Sequence, residues 1–211
     1  RGGLLSVSPY APVTVCVCVD NVATYGGGYQ GYGNAQVTLT RCTLNANTAA
    51  NGATVYVRNN SSPTFTNCIV SYGVGGASFA RYADDCNPTL VCSDVHGNEY
   101  GDWVAMIAPQ LGVGGNFNAD PLYCDRAGGD LTLRGDSPCA AANNGGCGQI
   151  GALPVGCTGS YLIRPDGSGD FATIQEAIDA AVAGETIVLA DGIFTGAGNR
   201  DLDFQGKAIT V

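Results

Sequence analysis

The stretch Val37-Thr-Leu-Thr-Arg-Cys-Thr-Leu44 recurs along the chain, and this repetition decides the fold. Three further segments align with it without gaps: Val13-Thr-Val-Cys-Val-Cys-Val-Asp20, Pro63-Thr-Phe-Thr-Asn-Cys-Ile-Val70 and Pro88-Thr-Leu-Val-Cys-Ser-Asp-Val95. The four segments begin 24, 26 and 25 residues apart. A repeat of this length predicts a solenoid, in which each repeat is one coil that buries its apolar face on its neighbours.

The aligned columns indicate which side chains lie inside a coil. One column is always apolar, and it contains Val15, Leu39, Phe65 and Leu90. A column of small side chains follows three residues later, and it contains Cys18, Cys42, Cys68 and Ser93. The interval of three predicts a strand that turns a corner between two buried positions. Asn and Gly, which tolerate left-handed backbone, are expected at the other corners.

The composition favours short strands joined by tight turns. Of 211 residues, 32 are Gly and only 13% are charged. The repeat lacks the Leu/Asn signature of a leucine-rich repeat, so a parallel β-helix is the architecture that this period favours. We therefore predict an all-β fold, a right-handed parallel β-helix with coils of about 25 residues and one short amphipathic capping helix.

Residues 116–157 contain four short motifs in a fixed order. They are Asn116-Phe-Asn-Ala-Asp-Pro-Leu-Tyr-Cys124, Gly129-Asp-Leu-Thr-Leu-Arg134, Asp136-Ser-Pro-Cys139 and Gly148-Gln-Ile-Gly-Ala152. In this order the motifs resemble the C-terminal end of bacterial secreted right-handed parallel β-helix repeat proteins. The resemblance implies that this segment closes a stack of coils.

Residues 166–181 resemble the N-terminal cap of the pectin-lyase-like superfamily. Thr173 and Glu176 predict a capping box, and Gly184 is expected to end the helix. The apolar positions share one helical face: Ile174, Ala177, Ile178 and Ala181. Strands are predicted at 186–190 and 207–211. Such a helix would cover the open apolar end of a stack.

A stack-closing segment thus precedes a cap-bearing segment, which inverts the order of the family. We expect residues 1–157 to hold the coils and the closing segment, and residues 158–211 to hold the cap and first strands of a β-helix that stacks on the next subunit or unit. The chain is then either a fragment of tandem units or the repeat unit of a polymer. In a polymer, the assembly edge would be Lys207, Ala208, Ile209, Thr210 and Val211.

The sequence shows no catalytic constellation. The one histidine, His96, lies in a Gly/Asn turn, which disfavours a histidine-based triad. Of the close acid pairs, Asp84–Asp85 lies in a loop just before a coil, as expected of solvated turn residues. The other pair, Asp201/Asp203, has no Arg or acid partner in a neighbouring coil. We therefore expect no catalytic residues, and the sequence favours a protein that is not an enzyme.

Metal, cofactor and nucleic-acid sites are also disfavoured. Asp166, Ser168 and Asp170 place oxygen atoms at alternate positions but lack the rest of a calcium loop. The net charge is −9, and the nine basic residues are scattered, which disfavours nucleic acid. No apolar stretch approaches the ~20 residues of a membrane span.

The ten cysteines favour an oxidising, extracellular or cell-surface location. Cys139 and Cys147 flank a short Asn/Gly loop and predict a local disulfide. Cys18, Cys42 and Cys68 would stack about 4.8 Å apart in adjacent coils. They are therefore either disulfide candidates or a buried column of small residues.

Two further features concern carbohydrate. Asn59 and Asn60 each begin an N-x-S/T sequon, which permits glycosylation. Aromatic rings that could stack on sugars cluster early in the chain: Tyr10, Tyr25, Tyr29 and Tyr32.

We expect a structural extracellular or cell-surface protein that assembles head to tail into a filament, with itself or tandem β-helix units as its partner. The alternative is a polysaccharide-binding or lyase-like, polysaccharide-degrading module of a larger secreted protein, with glycans as ligands.

Overall fold

The computed structural model describes residues 11–181 and 183–211. The chain is mostly β, with stacked parallel sheets that form a solenoid of about 7 turns and very little helix, so the predicted fold class is confirmed. It divides into two compact units. The first comprises the residues up to Pro121 together with Pro138–Pro154, and the second comprises Leu122–Ser137 together with Val155–Val211.

Four parallel sheets run along the first unit. Sheet A contains Val13–Thr14, Thr38–Thr40, Thr64–Thr66 and Thr89–Val91. Sheet B contains Val17–Val19, Thr43–Asn45, Ile69–Ser71 and Asp94–His96. Sheet C contains Tyr29–Gly31, Val55–Val57 and Phe79–Arg81. Sheet D contains Val22–Tyr25 and Thr48–Asn51.

Backbone pairing in sheet A corrects the register of the first coil. Val13 pairs with Leu39, Leu39 with Phe65, and Phe65 with Leu90. The expected alignment of Val15 with Leu39 is therefore wrong by two residues. The valines of this coil alternate, so the segment fits the apolar pattern in either register. The position of the corner, which falls at Val15, decides between them.

A single left-handed residue makes each corner between sheets A and B. These residues occupy equivalent places in successive coils: Val15, Arg41, Asn67 and Cys92, with φ of 52°, 52°, 53° and 48°. A second such column follows sheet B: Asp20, Ala46, Tyr72 and Gly97. Left-handed backbone is unfavourable for side chains other than Gly, above all for a β-branched residue such as Val15. Other interactions must therefore offset the cost of these corners.

Asparagine side chains satisfy the backbone at the corner after sheet B. The Nδ2 of Asn47 donates to the carbonyl oxygen of Cys18 at 2.9 Å, and its Oδ1 accepts the amide of Asn21 at 3.2 Å. The side chain thus bridges an amide and the carbonyl three residues before it, both in the preceding coil. Asn98 makes the equivalent pair of bonds two coils later.

The corner between sheets A and B is satisfied in the same way. The Oγ of Ser93 accepts the amide of Cys68 at 3.1 Å and lies 3.3 Å from the carbonyl oxygen of Phe65, within donating distance. In the next coil, the Oδ1 of Asn116 accepts the amide of Ser93 at 3.0 Å, and its Nδ2 donates to the carbonyl oxygen of Leu90 at 2.8 Å.

Two thiols occupy this column in the preceding coils. The Cys42 sulfur lies 3.7 Å from the carbonyl oxygen of Val13 and 3.6 Å from that of Thr40. The Cys68 sulfur lies 3.5 Å from the carbonyl oxygen of Leu39 and 3.4 Å from that of Thr66. Val13 lies three residues before Cys16, and Leu39 lies three residues before Cys42, which is the same spacing that Asn47 and Ser93 bridge. We call the side chains that bridge corners the corner ladder: Cys42, Asn47, Cys68, Ser93, Asn98 and Asn116.

A short 3-10 helix, Ala105–Gln110, follows the fourth coil. The side chain of Gln110 completes the edge of sheet A, since its Oε1 accepts the amide of Leu90 at 2.8 Å and its Nε2 donates to the carbonyl oxygen of Pro88 at 2.9 Å. One side chain therefore takes the place of a neighbouring strand at this edge.

A segment around Gly151 and Ala152 crosses the outer face of sheet B. The amide of Gly151 donates to the carbonyl oxygen of Asn67 at 2.8 Å, and the amide of Ala152 donates to the Oγ1 of Thr43 at 3.0 Å. Gly151 has φ of 84°, which favours glycine, and a Cβ there would lie 2.6 Å from the Cδ1 of Ile69. The motif that ends in Gly151 and Ala152 is thus a lateral cover rather than another strand of the stack.

The second unit contains five strands and one helix among its described residues. Tyr123–Asp125 is antiparallel to Asp130–Arg134, which is parallel to Val155–Cys157. Ser160–Ile163 is parallel to Thr186–Leu189. The helix is Ile174–Ala180.

The predicted capping box of this helix is confirmed. The Oγ1 of Thr173 accepts the amide of Glu176 at 3.3 Å, and the Oε2 of Glu176 accepts the amide of Thr173 at 3.1 Å. The predicted apolar face is buried, and it forms a small core with two strand residues: Ile163, Ile174, Ala177, Ile178 and Ile187.

We predict that Asn47→Ala lowers the free energy of unfolding by about 2–4 kcal/mol, because the corner carbonyl of Cys18 and the amide of Asn21 both lose a buried partner. Asn51→Ala, at an exposed position of the same coil, should change it by less than about 0.5 kcal/mol. Chemical denaturation of both variants measures the difference. Equal stability of the two variants would contradict a structural role for the corner ladder.

Candidate functional site

Four of the ten cysteines form two disulfides. In the first unit Cys92 pairs with Cys147, with Cα atoms 5.6 Å apart. In the second unit Cys124 pairs with Cys157, with Cα atoms 5.9 Å apart. The other six are thiols: Cys16, Cys18, Cys42, Cys68, Cys86 and Cys139. Two disulfides support an oxidising environment.

The structure therefore corrects the expected Cys139–Cys147 disulfide. Cys139 is fully buried, and its thiol donates to the Oδ2 of Asp94 at 3.6 Å. Cys147 instead reaches Cys92, the left-handed corner residue of the fourth coil. The two ends of the Asn/Gly loop face different neighbours, which their closeness in sequence does not reveal.

The expected column of Cys18, Cys42 and Cys68 is corrected as well. Because Val13 pairs with Leu39, it is Cys16 that stands in line with Cys42 and Cys68. Cys18 pairs with Leu44 in the neighbouring strand of sheet B. All of these cysteines are thiols in the structure, and Cys42 and Cys68 belong to the corner ladder.

The buried sulfur atoms influence each other's ionisation. A hydrogen bond from the Cys68 thiol lowers the pKa of Cys42 to about 7, while burial raises the pKa of Cys68 well above its usual value. Burial, reinforced by the neighbouring Cys16, raises the pKa of Cys18 to about 12. Cys42 is fully buried, so its ionisation does not make it an accessible nucleophile.

The two sequon asparagines lie at an exposed corner. Asn59 and Asn60 both adopt left-handed backbone, with φ of 55° and 57°. The Nδ2 of Asn60 donates to the Oδ1 of Asn34 at 3.1 Å, so a glycan on Asn60 would compete with this bond. The Ser61 hydroxyl in the sequon of Asn59 is buried and accepts the amide of Ala35.

The four tyrosines that cluster early in the sequence have different environments. Tyr10 lies outside the described residues. Tyr29 is fully buried, and its ring meets that of Phe65 edge to face at 5.9 Å. Tyr25 and Tyr32 are exposed, and Tyr25 packs on Tyr56 with ring centroids 4.9 Å apart.

A column of two exposed tyrosines and a partly buried arginine follows sheet C. The guanidinium carbon of Arg58 lies 4.7 Å from the centroid of the Tyr32 ring. The register that pairs Val57 with Arg81 sets Tyr82 beside Arg58 in the next coil. Tyr32 is 57% exposed and Tyr82 is 74% exposed. We call Tyr32, Arg58 and Tyr82 the aromatic–arginine column.

A hydrogen-bonded network surrounds the one histidine. The Nδ1 of His96 lies 2.8 Å from the Oδ1 of Asn118, whose Nδ2 donates to the Oδ2 of Asp102 at 3.1 Å. The Oδ1 of Asp102 accepts the Nδ2 of Asn98 at 2.8 Å. Asn118 thus separates the imidazole from the carboxylate, and the direct histidine–carboxylate bond of a catalytic triad does not form here.

The close acid pairs serve turns and local contacts. Asp84 forms an ion pair with Arg81 at 2.6 Å, and the Oδ2 of Asp85 accepts the amide of Asn60 at 3.1 Å. The Oδ1 of Asp203 accepts the amide of Gln205 at 2.8 Å. Over residues 11–181 and 183–211, no group of three or more His, Cys, Asp or Glu is placed to hold a metal ion.

A cavity of about 330 Å³ lies in the second unit, with Glu185, Gly156 and Thr158 in its lining. Nearby, Asp136 forms an ion pair with Arg134 at 2.7 Å, and the Tyr161 hydroxyl lies 3.4 Å from the Oδ2 of Asp136. Burial and the acids Asp136 and Glu185 raise the pKa of Tyr161 to about 12, which keeps this phenol a hydrogen-bond donor. These residues come from three separate stretches of the second unit, 134–136, 155–161 and 183–185, and no repeat connects the stretches.

The expected assembly edge contributes its backbone to the second unit. The amide of Thr210 donates to the carbonyl oxygen of Glu185 at 2.9 Å. Lys207 has a different role, because its Nζ donates to the carbonyl oxygens of Ile178 and Asp179 at the end of the helix, at 2.9 and 2.7 Å. Cations stabilise helix C-termini in this way.

Asp94 is an acid buried on the outer side of sheet B. It is fully buried, and its Oδ1 accepts the amide of Ala119 at 3.1 Å. The Cys139 thiol contacts the other oxygen. Burial raises the pKa of Asp94 to about 8, so much of this carboxyl is neutral at pH 7.

Comparison of the chain with protein-family models, with curated proteins and with solved structures finds no match. No helix in the described ranges, 11–181 and 183–211, has the length and apolar character needed to cross a membrane. A proposal for function must therefore rest on the surfaces and edges of the solenoid itself.

We predict that Asp94 makes stability depend on pH. Its pKa is about 8 in the folded chain, against 3.8 for an unperturbed carboxyl, so the unfolded chain releases this proton at lower pH. Stability should fall as pH rises from about 4 to about 8 and then level off. Asp94→Asn should remove this fall and raise the melting temperature at pH 8. Thermal unfolding between pH 4 and pH 8 tests this prediction, and Asp20→Asn, at an exposed acid, is the control. A melting temperature of Asp94→Asn that depends on pH as in the unmodified chain would contradict the prediction.

Proposed function

We propose that this chain is a structural, extracellular or cell-surface solenoid that assembles head to tail with copies of itself. The observation that carries the proposal is the arrangement of sheet edges. Among the described residues, the first coil, residues 13–31, supplies the terminal strand of sheets A, B, C and D. Terminal strands present backbone groups that can pair with another chain.

In the second unit, the predicted strand at 207–211 is reduced to one parallel bridge, in which Thr210 pairs with Thr186. The carbonyl oxygen of Thr210 accepts the amide of Ile187 at 2.7 Å. Alternate residues of a parallel strand direct their amides and carbonyls to opposite sides, so Ile209 and Val211 present theirs on the side away from Ile187. Pairing of this edge with the first coil of another copy is a heterologous contact, which generates open filaments.

The chemistry of the polar side chains supports a structural role. The corner ladder and the His96 network are engaged in bonds that hold turns and coils, and so are three of the close acids, Asp84, Asp85 and Asp203. The disulfides Cys92–Cys147 and Cys124–Cys157 support an oxidising, extracellular setting.

We predict that Ile209→Pro prevents assembly while the chain stays folded. Ile209 precedes the bridge between Thr210 and Thr186, so proline there removes an amide that faces away from Thr186 and leaves the bridge itself in place. Ile209→Val keeps both the amide and an apolar side chain and serves as the matched control.

Sedimentation velocity and negative-stain microscopy at increasing concentration measure the outcome. The unmodified chain and Ile209→Val should form elongated particles, whereas Ile209→Pro should remain monomeric with an unchanged circular dichroism spectrum. Monomers of the unmodified chain at all concentrations, or filaments of Ile209→Pro, would contradict the proposal.

A second candidate function is polysaccharide binding, and the aromatic–arginine column favours it. Exposed tyrosine rings stack on sugar faces, and an arginine between them can donate hydrogen bonds to hydroxyl or carboxylate groups. The guanidinium of Arg58 lies over the Tyr32 ring, which places a positive charge within the column. The column itself offers no carboxylate pair, so it favours binding over cleavage.

We predict that a Tyr32→Ala/Tyr82→Ala double variant loses polysaccharide binding by at least about tenfold, since stacking on two rings contributes more than about 1.4 kcal/mol. Tyr100→Ala, at a tyrosine that is 61% exposed and outside the column, should bind as the unmodified chain does. Co-sedimentation with a panel of insoluble neutral and acidic polysaccharides is the measurement. Binding by the double variant at full strength would exclude the column as the site.

A further inference from the structure

Two thiols in the first coil lie against each other. Cys16 directly follows the left-handed corner at Val15, and Cys18 lies in the strand Val17–Val19. Residues two apart in an extended segment point to the same side, and here the two sulfur atoms are 3.8 Å apart. A disulfide has an S–S length of about 2 Å, so the two sulfur atoms must approach further to form one.

The packing of the coils does not require a thiol at position 18. In sheet B, Cys18 shares its column with an aliphatic residue in each of the three following coils: Leu44, Val70 and Val95. The first coil therefore carries a sulfur where an aliphatic side chain fills the same place elsewhere. Packing alone accounts for a small buried side chain here but not for its chemistry.

Cys16 also differs from the thiols that follow it in its column. Cys42 and Cys68 donate to backbone carbonyls, and Ser93 does the same with a hydroxyl, so that role needs a donor rather than a reactive sulfur. Cys16 instead has its sulfur against that of Cys18. It is partly exposed, whereas Cys18, Cys42 and Cys68 are fully buried, so a reagent from solvent meets Cys16 first.

We propose that Cys16 and Cys18 are a dithiol–disulfide exchange site that takes an external small-molecule disulfide as its substrate. The Cys16 thiolate attacks the external disulfide, which forms a mixed disulfide and releases one thiol. The Cys18 thiol then loses its proton and attacks the Cys16 sulfur, which closes the Cys16–Cys18 bond and releases the second thiol. Two protein thiols are oxidised, one external disulfide is reduced to two thiols, and the two protons pass to the released thiolates.

The environment of the pair sets the order and the reversibility of these steps. Burial raises the pKa of Cys18, so the partly exposed Cys16 is the first nucleophile. The ring closes over a single residue, Val17, and therefore removes little entropy from the unfolded chain. The bond should accordingly form and break with the external thiol–disulfide ratio, unlike the long-range disulfides Cys92–Cys147 and Cys124–Cys157.

The tryptic peptides of this chain allow a direct test. Gly2–Arg41 contains Cys16 and Cys18 and no other cysteine, whereas Cys42–Arg58 and Asn59–Arg81 contain one cysteine each, Cys42 and Cys68. The full chain is equilibrated with oxidised and reduced glutathione at increasing ratios, quenched with acid, unfolded, alkylated with iodoacetamide and digested without reduction. Mass spectrometry then reports the state of each peptide.

As the share of oxidised glutathione rises, Gly2–Arg41 should be found without alkyl groups and two hydrogens lighter than the reduced peptide, which is the mass of the disulfide form. The Cys42 and Cys68 peptides should stay alkylated. Cys18→Val, which copies the aliphatic side chain of the other coils, should trap one glutathione on Cys16. Cys86→Ser, which removes a thiol outside the pair, should leave the behaviour of Gly2–Arg41 unchanged.

Three outcomes would overturn the proposal. Gly2–Arg41 could keep both alkyl groups at every ratio, it could be found joined to Cys42–Arg58, or Cys18→Val could fold and take up no glutathione on Cys16. Circular dichroism of the variant establishes that it is folded before the exchange is scored.

Discussion

The backbone amide and carbonyl at each tight corner need hydrogen bonds from the next coil. The first unit depends on this constraint. A left-handed residue lets the chain turn from one sheet to the next within a single position, but it leaves an amide and a carbonyl at the inside of the corner. The corner ladder supplies one side chain to both groups, as Asn47 does for Asn21 and Cys18. Buried backbone groups without partners are strongly unfavourable, so this bridge fixes the distance from one coil to the next.

This constraint explains residue choices that hydrophobicity alone does not. The ladder position must both accept and donate, which Asn does best and Ser or a thiol can imitate. Cys42, Cys68 and Ser93 are thus chemically equivalent at their corners, although only the first two resemble apolar core residues in sequence. The same bridge compensates for left-handed backbone at a residue as unsuited to it as Val15.

The period of the apolar residues and the capping box of the helix were predictable because both depend on local patterns. The register of the first coil was not, since alternating valines satisfy two alignments and only the corner at Val15 separates them. The Cys92–Cys147 disulfide joins a corner to a lateral segment, a contact that exists only after folding. The aromatic–arginine column could have been predicted from the sequence, because its members recur at the coil period. The cavity beside Tyr161 was not, because no repeat links its residues.

Amide hydrogen exchange at the corners tests the central claim most directly. If the corner ladder holds the stack, the amides of Cys68, Gly73 and Ser93, which donate to ladder side chains, should exchange as slowly as amides within sheets A and B. Residue-resolved NMR on the folded chain measures this. Exchange at these three amides as fast as in the exposed Gly145–Gly146 loop would show that the corners are open to solvent and would contradict the account.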